Sequence, residues 1–283
     1  MNIRKLIAAV LAALLIVSSV AALADTIKIG VPNDTTNEAR ALQLLADNGI
    51  IELREGAGET ATKADVVSEN IEIVEAQADF LVNQLPDLDY AVINSNFVLD
   101  ALDAGIPVDK ALLTEVEAVY LPRANIIAVS GDNVDAPLTK ALVAAARSQQ
   151  VKDYIDANYA GAVISVVDDP TDGYDPDVDY AALAGSTIKI AATPAPHAQI
   201  LEVIKEILAE KDITVEIVVY TGYTEENPAV DAGDLYANYF QHQQYLDDYV
   251  AETGGNVVSV TTVHTEPMGL YGGRQKDLAA LGK

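Results

Sequence analysis

Two stretches of the 283-residue chain open alike. Thr26-Ile-Lys-Ile-Gly and Thr187-Ile-Lys-Ile-Ala each read as a short β run that leads into a Pro-containing turn and then a helix. A strand–helix rhythm that restarts partway along the chain predicts two βαβ-type halves, each around its own mostly parallel sheet. In the first half, helical spacing runs from Asn37 to Asn48 and stops at Gly49, and β runs cover 71–74, 90–93 and 125–129. One or two helices over 137–159 and a strand over 162–167 follow. In the second half, Pro196 takes the first helical position, and Ile200, Val203, Ile204, Ile207 and Leu208 form a buried stripe. A strand over 213–220, a short helix from Pro228, a strand at 235–238, a helix from Gln241 and a strand at 257–263 complete the pattern. Two α/β lobes of this kind leave a cleft at the carboxyl ends of strands, where ligands bind.

The halves are joined by residues 166–185, which hold six Asp and no Lys or Arg and are broken by two Pro and two Gly. They read as a solvated linker or surface loop. Asp175, Asp177 and Asp179 have the spacing that opens a calcium loop, but the Gly expected after them and the closing Glu are missing. Ahead of the first half, residues 1–24 carry Arg4 and Lys5, then an apolar run, then Ala22-Leu23-Ala24 before Asp25. That is the form of a cleaved secretory signal, and an uncleaved membrane anchor is the alternative.

Charge and composition remove several classes of function. With 17 Lys+Arg against 43 Asp+Glu, a formal net charge of −26, the chain lacks the cations needed to neutralise nucleic-acid phosphates. Without Cys it has no disulfide, thiolate metal site or Cys nucleophile. No nucleophile elbow, P-loop or dinucleotide fingerprint is present, so neither an enzyme nor a cofactor is expected. His197, His242 and His264 lie at the ends of predicted elements and, with Glu266, could ligate zinc, although none has the close spacing of a strong motif. Tyr220, Tyr223, Tyr236, Tyr239, Phe240, Tyr245 and Tyr249 crowd into one short region. Some must be ordinary core. A cleft lined by such rings would bury an apolar amino-acid side chain, a thioether included. Arg40, at a helix start just after a strand and turn, could hold an α-carboxylate, and Asn oxygens could accept from an α-ammonium.

Six segments then resemble one family. They are Val31-Pro-Asn-Asp-Thr-Thr-Asn-Glu-Ala-Arg40, Ala91-Val-Ile-Asn94-Ser-Asn96-Phe, Ala124-Asn125-Ile-Ile, Thr193-Pro-Ala-Pro-His197-Ala, Ala237-Asn238-Tyr-Phe240-Gln-His242-Gln-Gln-Tyr245 and Val263-His264-Thr-Glu-Pro-Met268-Gly-Leu-Tyr271. Together they are similar to the methionine-binding lipoproteins, the substrate-binding components of methionine ABC importers. The resemblance implies an α/β, two-lobe, type II periplasmic-binding-protein fold. One lobe would comprise residues 25–124 plus 264–283, and the other 125–263. It implies a methionine-like amino acid or Met dipeptide as ligand and an ABC permease as partner, with the protein itself monomeric and no cofactor. Arg40 would hold the carboxylate, and Asn94 and Asn125, with Asn96, the polar end of the ligand. Tyr223, Phe240, His242 and Tyr245 would wrap the side chain, and His197 would sit at the cleft edge. Arg123 departs from the family's pattern and could add a second cation there. Two larger departures stand out. The segments come in exchanged order, as in a circular permutant, and Ala24-Asp25 stands where the family carries an acylated Cys. The expected location is therefore periplasmic or secreted, without a lipid anchor.

Overall fold

A computed structural model describes residues 26–283, and in it the chain forms two sheets with helices on their faces. The signal segment expected over residues 1–24 lies outside the described residues. The first sheet is built from β1 (Ile27–Pro32), β2 (Ile71–Ala76), β3 (Tyr90–Ile93), β4 (Leu113–Thr114) and β11 (Gly269–Gly272), in the order β2-β1-β3-β11-β4. The second is built from β5 (Asn125–Ser130), β6 (Ile164–Ser165), β7 (Thr187–Ala192), β8 (Thr214–Val219), β9 (Ala237–His242) and β10 (Val257–Thr265), in the order β6-β10-β5-β9-β7-β8. The α/β class is as expected, with one refinement: both sheets are mixed. β1 pairs in parallel with β2 and β3, and β7 with β8 and β9, while β4, β5, β6, β10 and β11 pair antiparallel. The parallel triplets are the βαβ units announced by the two Thr-Ile-Lys-Ile openings. Four of the antiparallel strands flank the two crossings between sheets, β4 and β5 at the first and β10 and β11 at the second.

Those crossings are short. The chain leaves the first sheet after β4, enters the second at Asn125, and returns between Thr265 and Gly269. His264 and Thr265, expected with the first lobe, instead pair in the second sheet with Asn125, Ser165 and Ile164, so the return falls two residues later.

Among the described residues, seven helices of six residues or more flank the sheets: α1 (Thr35–Asp47), α2 (Ser95–Asp103), α3 (Pro137–Ala146), α4 (Gln149–Asn158), α5 (Gln199–Ala209), α6 (Glu226–Asp231) and α7 (Gln243–Thr253). α1 starts where Asp34 Oδ1 accepts from the Asn37 amide, and ends before Gly49, whose φ of +63° suits glycine. Ile29, Val31, Leu42, Leu45 and Tyr90 fill the core between α1 and the first sheet. The α5 stripe packs with Leu142, Ile155, Ile188 and Ile190 on one face of the second sheet. Burial of this apolar surface, about 25 cal/mol per Å², is the main stabilising contribution of both halves.

Three expectations shift. The helix assigned to Pro196 begins at Gln199, because Ala195 is extended and residues Pro194–Ala198 form a wide turn that swings His197 inward. The strand expected at 235–238 runs instead from Ala237 to His242, and its helix starts at Gln243. The acidic 166–185 segment is held down rather than free. Thr171 exchanges backbone bonds with Arg147 and Gln149, the Tyr174 hydroxyl reaches Glu210 at 2.8 Å, and Val167 and Val178 are buried. Within it the Asp175 and Asp179 carboxylates cap nearby amides and do not converge with Asp177 on a metal site.

Candidate functional site

Elements of both sheets line a cavity of about 30 Å³. All nine residues named from the sequence line it: Arg40 from α1; Asn94 and Asn96 from the β3–α2 junction; Asn125 from the crossing strand; His197 from the turn after β7; Tyr223 from the loop after β8; Phe240 and His242 from β9; and Tyr245 from α7. They come from both halves of the chain, and the closed arrangement is bonded across. The Tyr223 hydroxyl donates to Asn96 Oδ1 at 2.8 Å, the Ala195 amide donates to Asp100 at 2.6 Å, and Thr36 donates to Asp248 at 2.6 Å. Phe97, Tyr223, Phe240 and Tyr245 form one ring cluster with centroids 4.9–5.9 Å apart. Met268 adds a thioether to the wall.

Arg40 is not free to grip an anion with its whole fork. Its Nε and Nη2 bond Glu115 at 2.6 and 2.5 Å, and Nη2 also donates to the Glu266 carbonyl at 2.9 Å. Both partners of this ion pair are almost fully buried. Nη1 remains without a protein acceptor among the described residues. Arg123 lies outside the lining; its Nη1 caps the Val119 carbonyl and its Nε is buried without a partner.

The polar lining carries a pattern of unmet bonds. Asn94 gives its amide NH₂ to Asn37, leaving Oδ1 unpartnered. Asn96 spends its oxygen on Tyr223, leaving Nδ2. His242 Nδ1 accepts from the Tyr245 amide at the start of α7, so Nε2 carries the proton and has no acceptor. Glu266 Oε1 accepts from His264 Nε2 at 2.8 Å, and its Oε2 has no donor. Buried polar atoms are almost always bonded, so four such atoms on one cavity wall indicate a ligand that supplies the partners. Two are acceptors and two are donors.

Burial sets the charges. It pushes His197, His242 and His264 down to about 3, with Arg40 and Arg123 adding to the effect at His242, so all three imidazoles are neutral. It pushes Glu266 up to about 7, against the pull of His197 and Arg40. His197 is not at the cleft edge; it is 1% exposed, between Thr193 Oγ1 and Asn125 Oδ1. Of the residues weighed for zinc, His197, His264 and Glu266 come together, with candidate ligand atoms within 4.8 Å of one another, while His242 is not part of that group. Ser95 is the only serine in the lining, and its hydroxyl donates to the Pro267 carbonyl, so no serine is set as a nucleophile there. Asn37, Glu115 and Met268 were given no role from the sequence. Met268 stood inside a quoted segment, whereas nothing distinguished Glu115 from the other carboxylates.

The sequence pattern of the family described as NlpA lipoprotein matches residues 16–167 and 188–283. The chain belongs to the NlpA lipoprotein family. The stretch the family pattern skips, 168–187, is essentially the acidic segment. Among curated relatives, the D-methionine-binding lipoprotein MetQ of Escherichia coli K12 is 34% identical over 152 residues, 52% of this chain and 55% of the relative. The methionine-binding lipoprotein MetQ of Bacillus subtilis is 39% identical over 95 residues, 33% of this chain and 35% of the relative. The chain spans only about a third to a half of the length of the curated relatives it matches. Among solved structures, a lipoprotein from Ruminococcus gnavus is 44% identical across 52% of this chain and 61% of its own, with a TM-score of 0.45. A nutrient-binding protein from Burkholderia cenocepacia bound to methionine is 42% identical across 30% and 37%, with a TM-score of 0.27. Among the described residues of this NlpA member, no helix is long and apolar enough to cross a membrane.

Proposed function

We propose that this NlpA-family chain is an extracytoplasmic solute-binding protein. It closes on methionine, or a closely related amino acid or Met dipeptide, and presents it to an ABC permease as a monomer that makes and breaks no bond. The observation that carries this reading is the set of unmet bonds on the cavity wall. A zwitterionic amino acid needs acceptors at its ammonium and donors at its carboxylate. Glu266 Oε2 and Asn94 Oδ1 are the acceptors; Asn96 Nδ2 and His242 Nε2 are the donors, with the Arg40 guanidinium in the same lining. Beside them, Phe240, Tyr223, Tyr245 and Met268 offer an apolar, polarisable surface to a thioether side chain. Asn125 already bonds His197, which fits a role in fixing that ring beside the ligand. The two sheets are then lobes, and the crossings at Asn125 and Glu266 are their hinge.

Two further features belong to this reading. An exchanged order of the family's halves belongs to this reading, with the stretch that the family pattern skips, 168–187, as the join. Residues 1–24 are read as an export signal cut after Ala24; the chain offers no cysteine for acylation, so the product is periplasmic or secreted.

Calorimetry of ligand-stripped protein with L-methionine, D-methionine and Gly-Met tests the function. At least one of the three is expected to bind with one-to-one stoichiometry. Glu266→Gln keeps the shape and removes the charge opposite the ammonium, so affinity is expected to fall about tenfold to a hundredfold, the range of a bond to a charged group. Binding by none of the three, or an unchanged affinity in Glu266→Gln, overturns the assignment.

A further inference from the structure

The cavity floor contains a second recognisable chemistry. His264 closes β10, Glu266 follows it by two residues, and His197 reaches the same point from the turn after β7. His264 Nε2 lies 2.8 Å and His197 Nε2 3.8 Å from Glu266 Oε1, and the Asn125 amide oxygen is 2.9 Å from His197 Nε2. Two ligand atoms on a tetrahedral zinc ion, each about 2.0–2.1 Å from the metal, sit roughly 3.3 Å apart, and the two Nε2–Oε1 distances bracket that value. We infer that His197, His264 and Glu266 form a site for a divalent transition metal of the zinc type, with an open coordination position facing the cavity.

Four observations support it. Both imidazoles are buried, at 1% and 0% exposure, which keeps bulk water from their ring nitrogens. Each ring is backed at Nδ1 by a hydroxyl, Thr193 Oγ1 behind His197 and the Tyr239 hydroxyl behind His264. A hydroxyl accepts as readily as it donates. When a metal takes the place of the proton on Nε2, that proton moves to Nδ1 and the same hydroxyl accepts it, so the second shell serves both states. Glu266 Oε2 is buried, unpartnered and part of the cavity wall, which leaves a carboxylate oxygen available for a cation. Finally, His197, His264 and Asn125 all lie on the second sheet or its edge turn, and Glu266 directly follows β10, so the site does not depend on lobe closure.

The donor set of two imidazole nitrogens and one carboxylate suits zinc and its neighbours rather than calcium or magnesium. A metal held through Glu266 and an ammonium paired with the same carboxylate would set two cations against one negative charge, so the cavity would hold one or the other.

The test titrates the full protein, stripped of amino acids and metals, with zinc chloride alone, and follows cobalt(II) substitution by its visible spectrum. One zinc per chain is expected, together with intense cobalt bands of a four- or five-coordinate site. His264→Gln, checked for native circular dichroism, is expected to weaken zinc by about tenfold or more. Substoichiometric zinc, a weak six-coordinate cobalt spectrum, or equal zinc affinity in folded His264→Gln overturns the site; the cobalt spectrum of the wild-type protein decides it where the variant does not fold. These titrations contain no amino acid, so their outcome is independent of the methionine assignment. Where methionine binds, saturating it is expected to weaken zinc by about tenfold or more, and an equal zinc affinity with and without methionine overturns the shared carboxylate.

Discussion

Glu115→Ala is expected to lower the melting temperature by roughly 10 °C and to abolish ligand binding as well. The reason is what the substitution leaves behind. Arg40 and Glu115 are buried together, at 6% and 1% side-chain exposure, and share two short bonds. Removing one partner of such a pair strands the other charge in a medium that solvates it poorly, which costs about 3–5 kcal/mol. For a domain of this size each kcal/mol corresponds to about 2–4 °C. Glu115 also accepts from the Met268 amide at 2.8 Å, and Arg40 donates to the Glu266 carbonyl. One carboxylate therefore ties α1, the end of β4 and the returning crossing together, and its loss also frees the side chain of Arg40, which lines the cavity. Replacing both residues by Met is expected to restore most of the stability, because two apolar groups of similar volume leave no stranded charge, but not binding, which needs the guanidinium. Thermal unfolding of the single and double variants, with calorimetry alongside, separates the effects. A fall under about 2 °C in Glu115→Ala would mean that water reaches the pair.

That ion pair also marks where sequence reading stops. The strand openings, the stop of α1 ahead of Gly49 and the α5 stripe were legible because each is a local pattern that local physics enforces. Eight of the nine lining residues came instead from the matched segments, which carry a site only because the segments fold together; Tyr223 lies outside all six. Glu115 had neither advantage. It is one of 43 acidic residues, lies 75 positions from Arg40, and becomes special only when packing excludes water from both. β9 shows the converse. Its Asn238, Gln241 and His242 are buried, which breaks the alternation expected of a strand. The structure accommodates the first two by bonding them into a closed set with Asn227 at 2.7–3.0 Å. No reading of polarity along the chain reveals that such residues satisfy one another. His197 lies deeper than the cleft edge that the resemblance implies, because the wide turn over 194–198 carries its ring inward, between Thr193 and Asn125.

Beside the same amide set lies the group with the largest expected pH effect. Glu226 opens α6 with no solvent exposure, and neither of its carboxyl oxygens has a partner. Burial, aided by the charge of Glu225, pushes its pKa up to about 8 from an ordinary 4.5. The sign follows from proton counts. Between about pH 4.5 and 8 the folded protein keeps the Glu226 proton while the unfolded chain has lost it, so the unfolded state binds fewer protons and stability falls as pH rises. Below that window both states are protonated, and above it both are ionised, with the full cost in place, on the order of a few kcal/mol. Glu226→Gln has the same shape and nothing to ionise. Its stability relative to the wild type is therefore expected to be near zero at pH 4.5 and to climb to a gain of about 2–4 kcal/mol at pH 8. Urea unfolding of both proteins at pH 4.5, 6, 7 and 8 measures this directly, and a difference that stays flat across the series would show that the carboxyl ionises as freely folded as unfolded. The consequence reaches the cavity. Glu226 is followed directly by Asn227, which donates to Gln241, and Gln241 lines the site. A carboxyl held neutral keeps that wall in place at and below neutral pH, and its ionisation places an unpaired charge one residue from it.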